Sequence, residues 1–302
     1  MTLQALVFGN VALDVICSPV DDVPRRDSLA FDEAAVTPGG CASNVAIGLA
    51  ALGVHTGLIA RTGNDDTAEM LFRYWGRLGI DTRFVARTPK STAVSVGLVD
   101  SQYQPRFIYS PGANQGLSAD AIPPESIAAT GARFFHISGF FVLPNLADGL
   151  AGKLAALRDR GLTTSLDVVF NNHMDDPHLR AALWAALPQV DYFLCNDYEA
   201  FRLVDERDPA RAAQKFRARG ARGVIIKLGA SGCWLEVDLI SKQIPAPKVD
   251  VVDTTGAGDA FAAGLIAALS RGLDSVEACS SGNQAGSRVC TRLGAVEAWL
   301  NE

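Results

Sequence analysis

Val251-Val252-Asp253-Thr254-Thr255-Gly256-Ala257-Gly258-Asp259-Ala260-Phe261 runs from a strand-like end, through a turn of small residues, into the helical stretch Ala262 to Ser270. Such a turn presents unpaired backbone N–H groups at the positive end of a helix dipole, where an anion is held without any cationic side chain. Gly256 and Gly258 permit a close backbone approach that a Cβ would hinder. Asp259 falls in or near the first helical turn and has two readings. It serves as a dipole partner for the helix, or as a proton acceptor beside an anion cradle. A dinucleotide fingerprint would need a third Gly where Phe261 stands, and the chain contains no GxxxxGK[ST] loop. The segment is a phosphate site of another kind.

Outward from this turn, short apolar and β-branched runs alternate with helix-like stretches. The runs are Ala5 to Val11, Gly57 to Arg61, Arg133 to Ile137, Thr163 to Val168, Tyr192 to Cys195 and Gly223 to Leu228. Continuous apolar runs of this length suit strands buried on both faces. Between them lie Ala42 to Leu52, Ala68 to Leu78, Ala147 to Arg160, Pro177 to Leu187 and Pro209 to Arg219. Repeated βα units predict an α/β fold with a mainly parallel sheet and right-handed crossovers. Ser28 to Val36 and Ser91 to Tyr109 break the rhythm and read as a small antiparallel sheet, a lid standing off one edge, or as two surface hairpins. We expect one domain over residues 1–302, with lid segments near 14–37 and 91–110.

The chain has 302 residues, 48% of them hydrophobic and 20% charged, and a formal net charge of −6, the composition of an ordinary globular protein. No Lys/Arg block offers a phosphate backbone the many cationic contacts it needs, so nucleic acid is not an expected partner. Leu3 to Cys17 is apolar but carries Asp14 and lacks a basic leading segment, and it reads as a buried strand rather than a signal peptide. No apolar stretch reaches the roughly 18 residues of a membrane span. Cys17, Cys41, Cys195, Cys233, Cys279 and Cys290 form no CxxC pair or Cys/His cluster, and we expect reduced thiols in a cytoplasmic protein.

Asp253 to Phe261, DTTGAGDAF, resembles the C-terminal signature of the ribokinase-like, or PfkB-type, carbohydrate kinases. Pro38-Gly39-Gly40-Cys41-Ala42-Ser43-Asn44-Val45-Ala46, followed by Leu49 to Gly53, is similar to the family's N-terminal signature. The resemblance implies a ribokinase-like three-layer α/β fold, with a mainly parallel central sheet and a small antiparallel β lid. It implies an ATP-dependent kinase in which Asp259 takes the proton of the accepting hydroxyl and the Gly256, Ala257 and Gly258 backbone forms the anion hole. Asp14, Gly39, Gly40 and Asn44 match its acceptor pocket. Taken singly, Asp14 also reads as a turn residue and Asn44 as a helix cap.

Asn196 and Glu199 resemble the family's NxxE element, which helps to hold Mg²⁺ and the phosphates; the same letters spell a capping box. Lys227, Gly229 and Gly232 resemble its nucleotide-binding turn, and Asn283 a position near adenine. Lys227 also reads as a solvated strand-end charge and Asn283 as a polar helical residue. Asp253 and Thr255 match one side of the monovalent cation site, with K⁺ the expected ion. Lid pairing between two copies would make a homodimer.

Ala12 and Cys41 stand where ribose-specific members carry an asparagine and a lysine, which points away from ribose. The GGCASNVA run is nearer to fructokinase-like and ketodeoxygluconate-kinase-like sequences. A sugar or sugar acid is the expected acceptor. Phe140 and Phe141, beyond the Arg133 to Ile137 strand, form either a ligand-stacking wall or part of the core. A wall of that kind would suit a nucleoside, which makes a nucleoside kinase the alternative. A non-catalytic sugar sensor is the third reading.

Overall fold

The computed structural model describes residues 2–102 and 105–300, so residues 103 and 104 of the expected lid segment and three terminal positions lie outside the described residues. Each of the six short apolar runs overlaps a strand of the large sheet, and the helix-like stretches between them are helices. The described chain runs β1 (Ala5–Gly9), β2 (Ala12–Ser18), β3 (Glu33–Gly39), α1 (Cys41–Ala51), β4 (Thr56–Thr62), α2 (Asp66–Arg77), β5 (Asp81–Arg87), β6 (Val94–Val99), β7 (Pro105–Ser110) and α3 (Pro124–Ala129). It continues through β8 (Phe134–Ser138), α4 (Leu150–Arg158), β9 (Thr163–Asp167), α5 (Pro177–Ala186), β10 (Tyr192–Asn196), α6 (Asp197–Val204), α7 (Pro209–Arg217) and β11 (Gly223–Lys227). It ends with β12 (Cys233–Val237), β13 (Ile240–Ile244), α8 (Ala257–Ser270), α9 (Ser275–Val289) and α10 (Glu297–Leu300).

The large sheet has the order β13-β12-β11-β10-β9-β8-β1-β4-β5, parallel from β11 to β5 and closed at one edge by the antiparallel β12 and β13. Alternate residues of its strands feed two cores. Leu6 and Phe8 of β1, with Phe135 and Phe193, pack toward the α4, α5 and α7 side. Ala5 and Val7, with Leu194 and Ile225, pack toward α1, α8 and α9. Fully burying each large apolar side chain contributes about 1.5–3 kcal/mol before conformational entropy is counted.

The smaller sheet has the order β3-β2-β6-β7, antiparallel at both edges, with β2 and β6 parallel in its middle. Parallel pairing there follows from the connection, because α1, β4, α2 and β5 intervene between the two strands. The Leu3 to Cys17 run, expected as one buried strand, is two. β1 is buried throughout and β2 alternates between buried and half-buried residues, one strand in each sheet. β5, β12 and β13 have half-exposed residues and lack the continuous apolar pattern, so the βα rhythm does not reveal them.

Candidate active site

β1, β9, β10 and β11 end at the same edge of the large sheet, and β1 lies between β4, its successor in that sheet, and β8. Ligands of open α/β sheets bind where the chain leaves a strand toward opposite sides. A cavity of about 1170 Å³ opens there, reached by Asn10 after β1, Asp167 ending β9, Asn196 ending β10 and Lys227 ending β11.

α8 begins at Gly256, whose φ of 76° suits glycine, and no side chain caps the helix. A Cβ on Gly256 would lie 2.5 Å from the Ala295 Cβ, so the tight turn excludes larger residues. Asp253 pins the turn from below: it accepts from Thr255 N at 2.9 Å, Thr255 Oγ1 at 2.7 Å and Gly294 N at 2.8 Å. Gly256, Ala257 and Gly258 line the cavity where α8 starts, with Ala257 N bonded to Thr254 O at 3.2 Å. Asp259 stands in that turn, nearly buried, with Asn44 Nδ2 donating to its Oδ2 at 2.8 Å. Burial lifts the Asp259 carboxyl to about 7; the Asn44 hydrogen bond opposes the rise, Asp167 adds to it, Lys227 opposes it and Asp14 adds to it. A carboxylate so placed is poised to take a proton near neutral pH.

Lys227 Nζ bonds both oxygens of the buried Asp167, at 2.7 and 2.9 Å. It also lies 3.1 Å from where a Cβ on Gly258 would be, beside the helix start. Burial alone would favour loss of its proton, but Asp167, Glu199 and Asp259 more than offset this and hold Lys227 charged. Asp167 was not foreseen from the sequence; its signal is a lone carboxylate closing the C-terminal end of a buried parallel strand. Asn10 carries the same signal at β1.

Asn196 caps α6, accepting from Glu199 N at 2.7 Å, while Glu199 accepts from Asn196 N at 2.7 Å and from Phe170 N at 2.9 Å. The capping box is therefore formed, and both residues also line the cavity. Burial raises Glu199 to about 7 despite Lys227. Gly229 and Gly232 line the other end. Asn283 does too, although its amide nitrogen is spent on Ile244 O at 3.0 Å and Pro245 O at 3.2 Å, where it braces that wall.

The smaller sheet roofs the cavity. Thr37, Asp14, Ser95 and Tyr109 form one cross-strand row, and the last three face the cavity. Gly39 does not line it; a Cβ there would fall 1.9 Å from the Asp14 Cγ, so its bareness makes room for Asp14. Gly40 lines it as the first residue before α1. Burial raises the Asp14 carboxyl to about 7. Tyr109 accepts from Asn114 Nδ2 at 2.8 Å, which ties β7 to Val11 O, also 2.8 Å from Asn114.

One expectation is corrected here. Phe140 is fully buried and meets Phe141 edge-on at 5.0 Å, so it belongs to the core; Val142 at the end of that turn is the cavity wall. Rings reach the cavity instead from the roof, as Phe107 and Tyr109, and from Phe170, Tyr198 and Phe261. Asp253 is wholly buried, lines no part of the cavity and accepts from three donors within the chain, which makes it the pin of the turn. Among the described residues no three His, Cys, Asp or Glu side chains are grouped to hold a metal, and no helix is long and apolar enough to cross a membrane.

The chain is 30% identical to the ATP-dependent ribose-1-phosphate kinase of Halopiger xanaduensis, over 99% of each sequence. It is 31% identical to the aminoimidazole riboside kinase of Salmonella typhimurium, over 92% of this chain and 88% of that one. Its fold matches that of a candidate ribokinase II from E. coli, solved with ATP and Mg²⁺, with a TM-score of 0.86, 24% identity, and coverage of 98% of this chain and 95% of that one. The model of the pfkB family carbohydrate kinases matches residues 3–301. The chain therefore belongs to the pfkB family of carbohydrate kinases and is an ATP-dependent enzyme of that family.

Proposed function

We propose that residues 1–302 act as one kinase domain that transfers the γ-phosphoryl group of ATP to a hydroxyl of a sugar. The observation that carries this reading is Asp259 itself, a buried carboxyl raised to about 7, held by Asn44 beside an uncapped helix start. Asp259 accepts the hydroxyl proton as the oxygen attacks phosphorus and the bond to the ADP oxygen breaks. The Gly256–Gly258 amides and Lys227 stabilise the charge on the transferred group. Asp14 and the Asn44 side chain orient the acceptor. The smaller sheet acts as the lid, excluding water from the site.

Gly229, Gly232 and the wall braced by Asn283 would hold the nucleotide. Mg²⁺ would arrive on the phosphates and keep several waters. The cavity suits it at Glu199, whose two oxygens are already engaged by backbone N–H groups, so contact would be through water. When bound, the ion would neutralise phosphate charge. No step is assigned to a monovalent cation.

The half-exposed Phe107 ring supports a nucleoside acceptor as the second reading. A sensor would gain nothing from a proton acceptor beside an anion cradle. We place the enzyme in the cytoplasm, where its free cysteines stay reduced. The roof's outer face carries the row Val36, Val15, Val96 and Ile108, with Val36 and Ile108 exposed, and we assign it to a homodimer contact. Light scattering at micromolar concentration checks this; a monomer would remove the assignment.

ATP consumption with Mg²⁺ across sugars and nucleosides tests the catalytic reading. Asp259→Asn should lower kcat by about 10³-fold and leave the KM for ATP within about twofold. Unchanged turnover in the variant would overturn the role of Asp259.

A further inference from the structure

The acceptor end of the cavity lacks a free cation. Among the described cavity-lining residues the cations are Lys227 and Lys248. Lys227 is bound to Asp167 at the helix start. Lys248 is exposed and follows Pro247, whose carbonyl accepts from Ser287 on the wall that Asn283 braces, so it belongs to the opposite end. The undescribed residues Met1, Tyr103, Gln104, Asn301 and Glu302 add no Lys or Arg.

What does face the acceptor end is rich in hydrogen-bond acceptors. Asp14 and Asp259 contribute carboxylates. Asn10 and Asn44 are nearly buried, and Oδ1 of each has no partner among the described residues. Asn44 Nδ2 is committed to Asp259, which fixes the amide with its oxygen outward from that bond. Such a set calls for donors. A sugar hydroxyl supplies one; ionised carboxylate or phosphate oxygens only accept. A second negative charge near Asp14 or Asp259, in a nearly buried site, also meets like-charge repulsion that Lys227, already paired with Asp167, relieves only in part.

We infer that this kinase accepts uncharged polyhydroxylated rings and rejects acceptors that already carry a carboxylate or phosphate. This rests on the kinase reading above and narrows the sugar or sugar acid expectation to neutral acceptors. Repulsion has a second effect. Asp259 already stands near 7, and an added anion would push it further toward its protonated form, disarming the base as well as weakening binding. Free sugars and nucleosides share the required chemistry.

The test measures kcat/KM with MgATP for ribose, fructose, adenosine, inosine and cytidine against ribose 1-phosphate, fructose 1-phosphate and 2-keto-3-deoxygluconate. The unfolding temperature is recorded with each compound. The best neutral acceptor should exceed the best anion by about 100-fold, a gap of the size expected for one unrelieved like-charge contact. A free sugar leading the neutral arm, or a nucleoside leading it, sustains the inference and identifies the source. An anion within tenfold of the best neutral compound, or ahead of it, overturns the inference and leaves the kinase reading standing. No turnover and no shift in unfolding temperature with any compound would sink the kinase reading and this inference together.

Discussion

The two ends of the cavity are built on different principles. At the end proposed for phosphoryl transfer, Asp14, Asp167, Glu199, Lys227 and Asp259 come from separate elements and bring charge together in a largely buried site. At the opposite end, the wall is largely backbone and small residues, such as Gly229, Gly232 and Gly286, with exposed Val249 and Val251. Buried charge costs folding free energy unless it is paired. The contrast teaches that buried charge in this chain gathers at and just behind one end of the cavity, as expected of a reactive centre.

The sharpest way to break the comparison is to remove its single buried cation. Lys227→Met leaves Asp167 buried without its partner, and breaking such a pair costs about 3–5 kcal/mol, read by urea unfolding. The kcat should fall by about 10²-fold or more. Lys227→Met combined with Asp167→Asn should recover most of the stability and little of the turnover. Recovery of turnover in the double variant would reduce Lys227 to a structural role.

A smaller effect lies in the pH profile. Asp259 and Asp14 are both raised to about 7, chiefly by burial. Asp259 must be ionised to act as base, so kcat/KM should fall as pH drops below about 7, more steeply than a single group allows if Asp14 must also be ionised. Asp14→Asn should return the slope to that of one group, measured at saturating MgATP. A flat profile between pH 5 and 8 would show that neither carboxyl limits the reaction.

The smallest effect is on stability, with its sign set by the same two groups. Their folded-state values exceed the ordinary carboxyl value of 3.8, so their contribution is present below that pH and is lost as pH rises through about 7. Asp259→Asn removes the penalty for the buried charge. Its Tm relative to the unsubstituted protein should gain about 2–4 °C more at pH 8 than at pH 5, by calorimetry. An equal shift at both values would place the raised carboxyl elsewhere.

Much of this could be read along the chain because it is local. The βα rhythm is a matter of apolar runs, and the strand, small-residue turn and helix around Gly256 to Asp259 depend on neighbours within a few residues. The NxxE spelling at Asn196 and Glu199 likewise forms its capping box by short-range geometry. Residues far apart were less legible. Asp167 ends β9 like any other polar strand-end residue until Lys227, 60 positions later, meets it. Phe140 follows a strand and Phe107 lies within one, and the pattern cannot say which ring reaches a cavity.

The sequence by itself determined the parallel α/β plan, the small-residue turn at the start of α8 and the placing of Asp259 in its first turn, because backbone propensity and glycine freedom act over neighbouring residues. Only the tertiary structure decided that Leu3 to Cys17 divides between two sheets and that Phe140 belongs to the core. It alone brought Asn44 onto Asp259 across 215 positions. It alone buried the carboxyls that now stand near 7. Burial and charge proximity are properties of what surrounds a side chain in space, and they are settled only when distant elements pack.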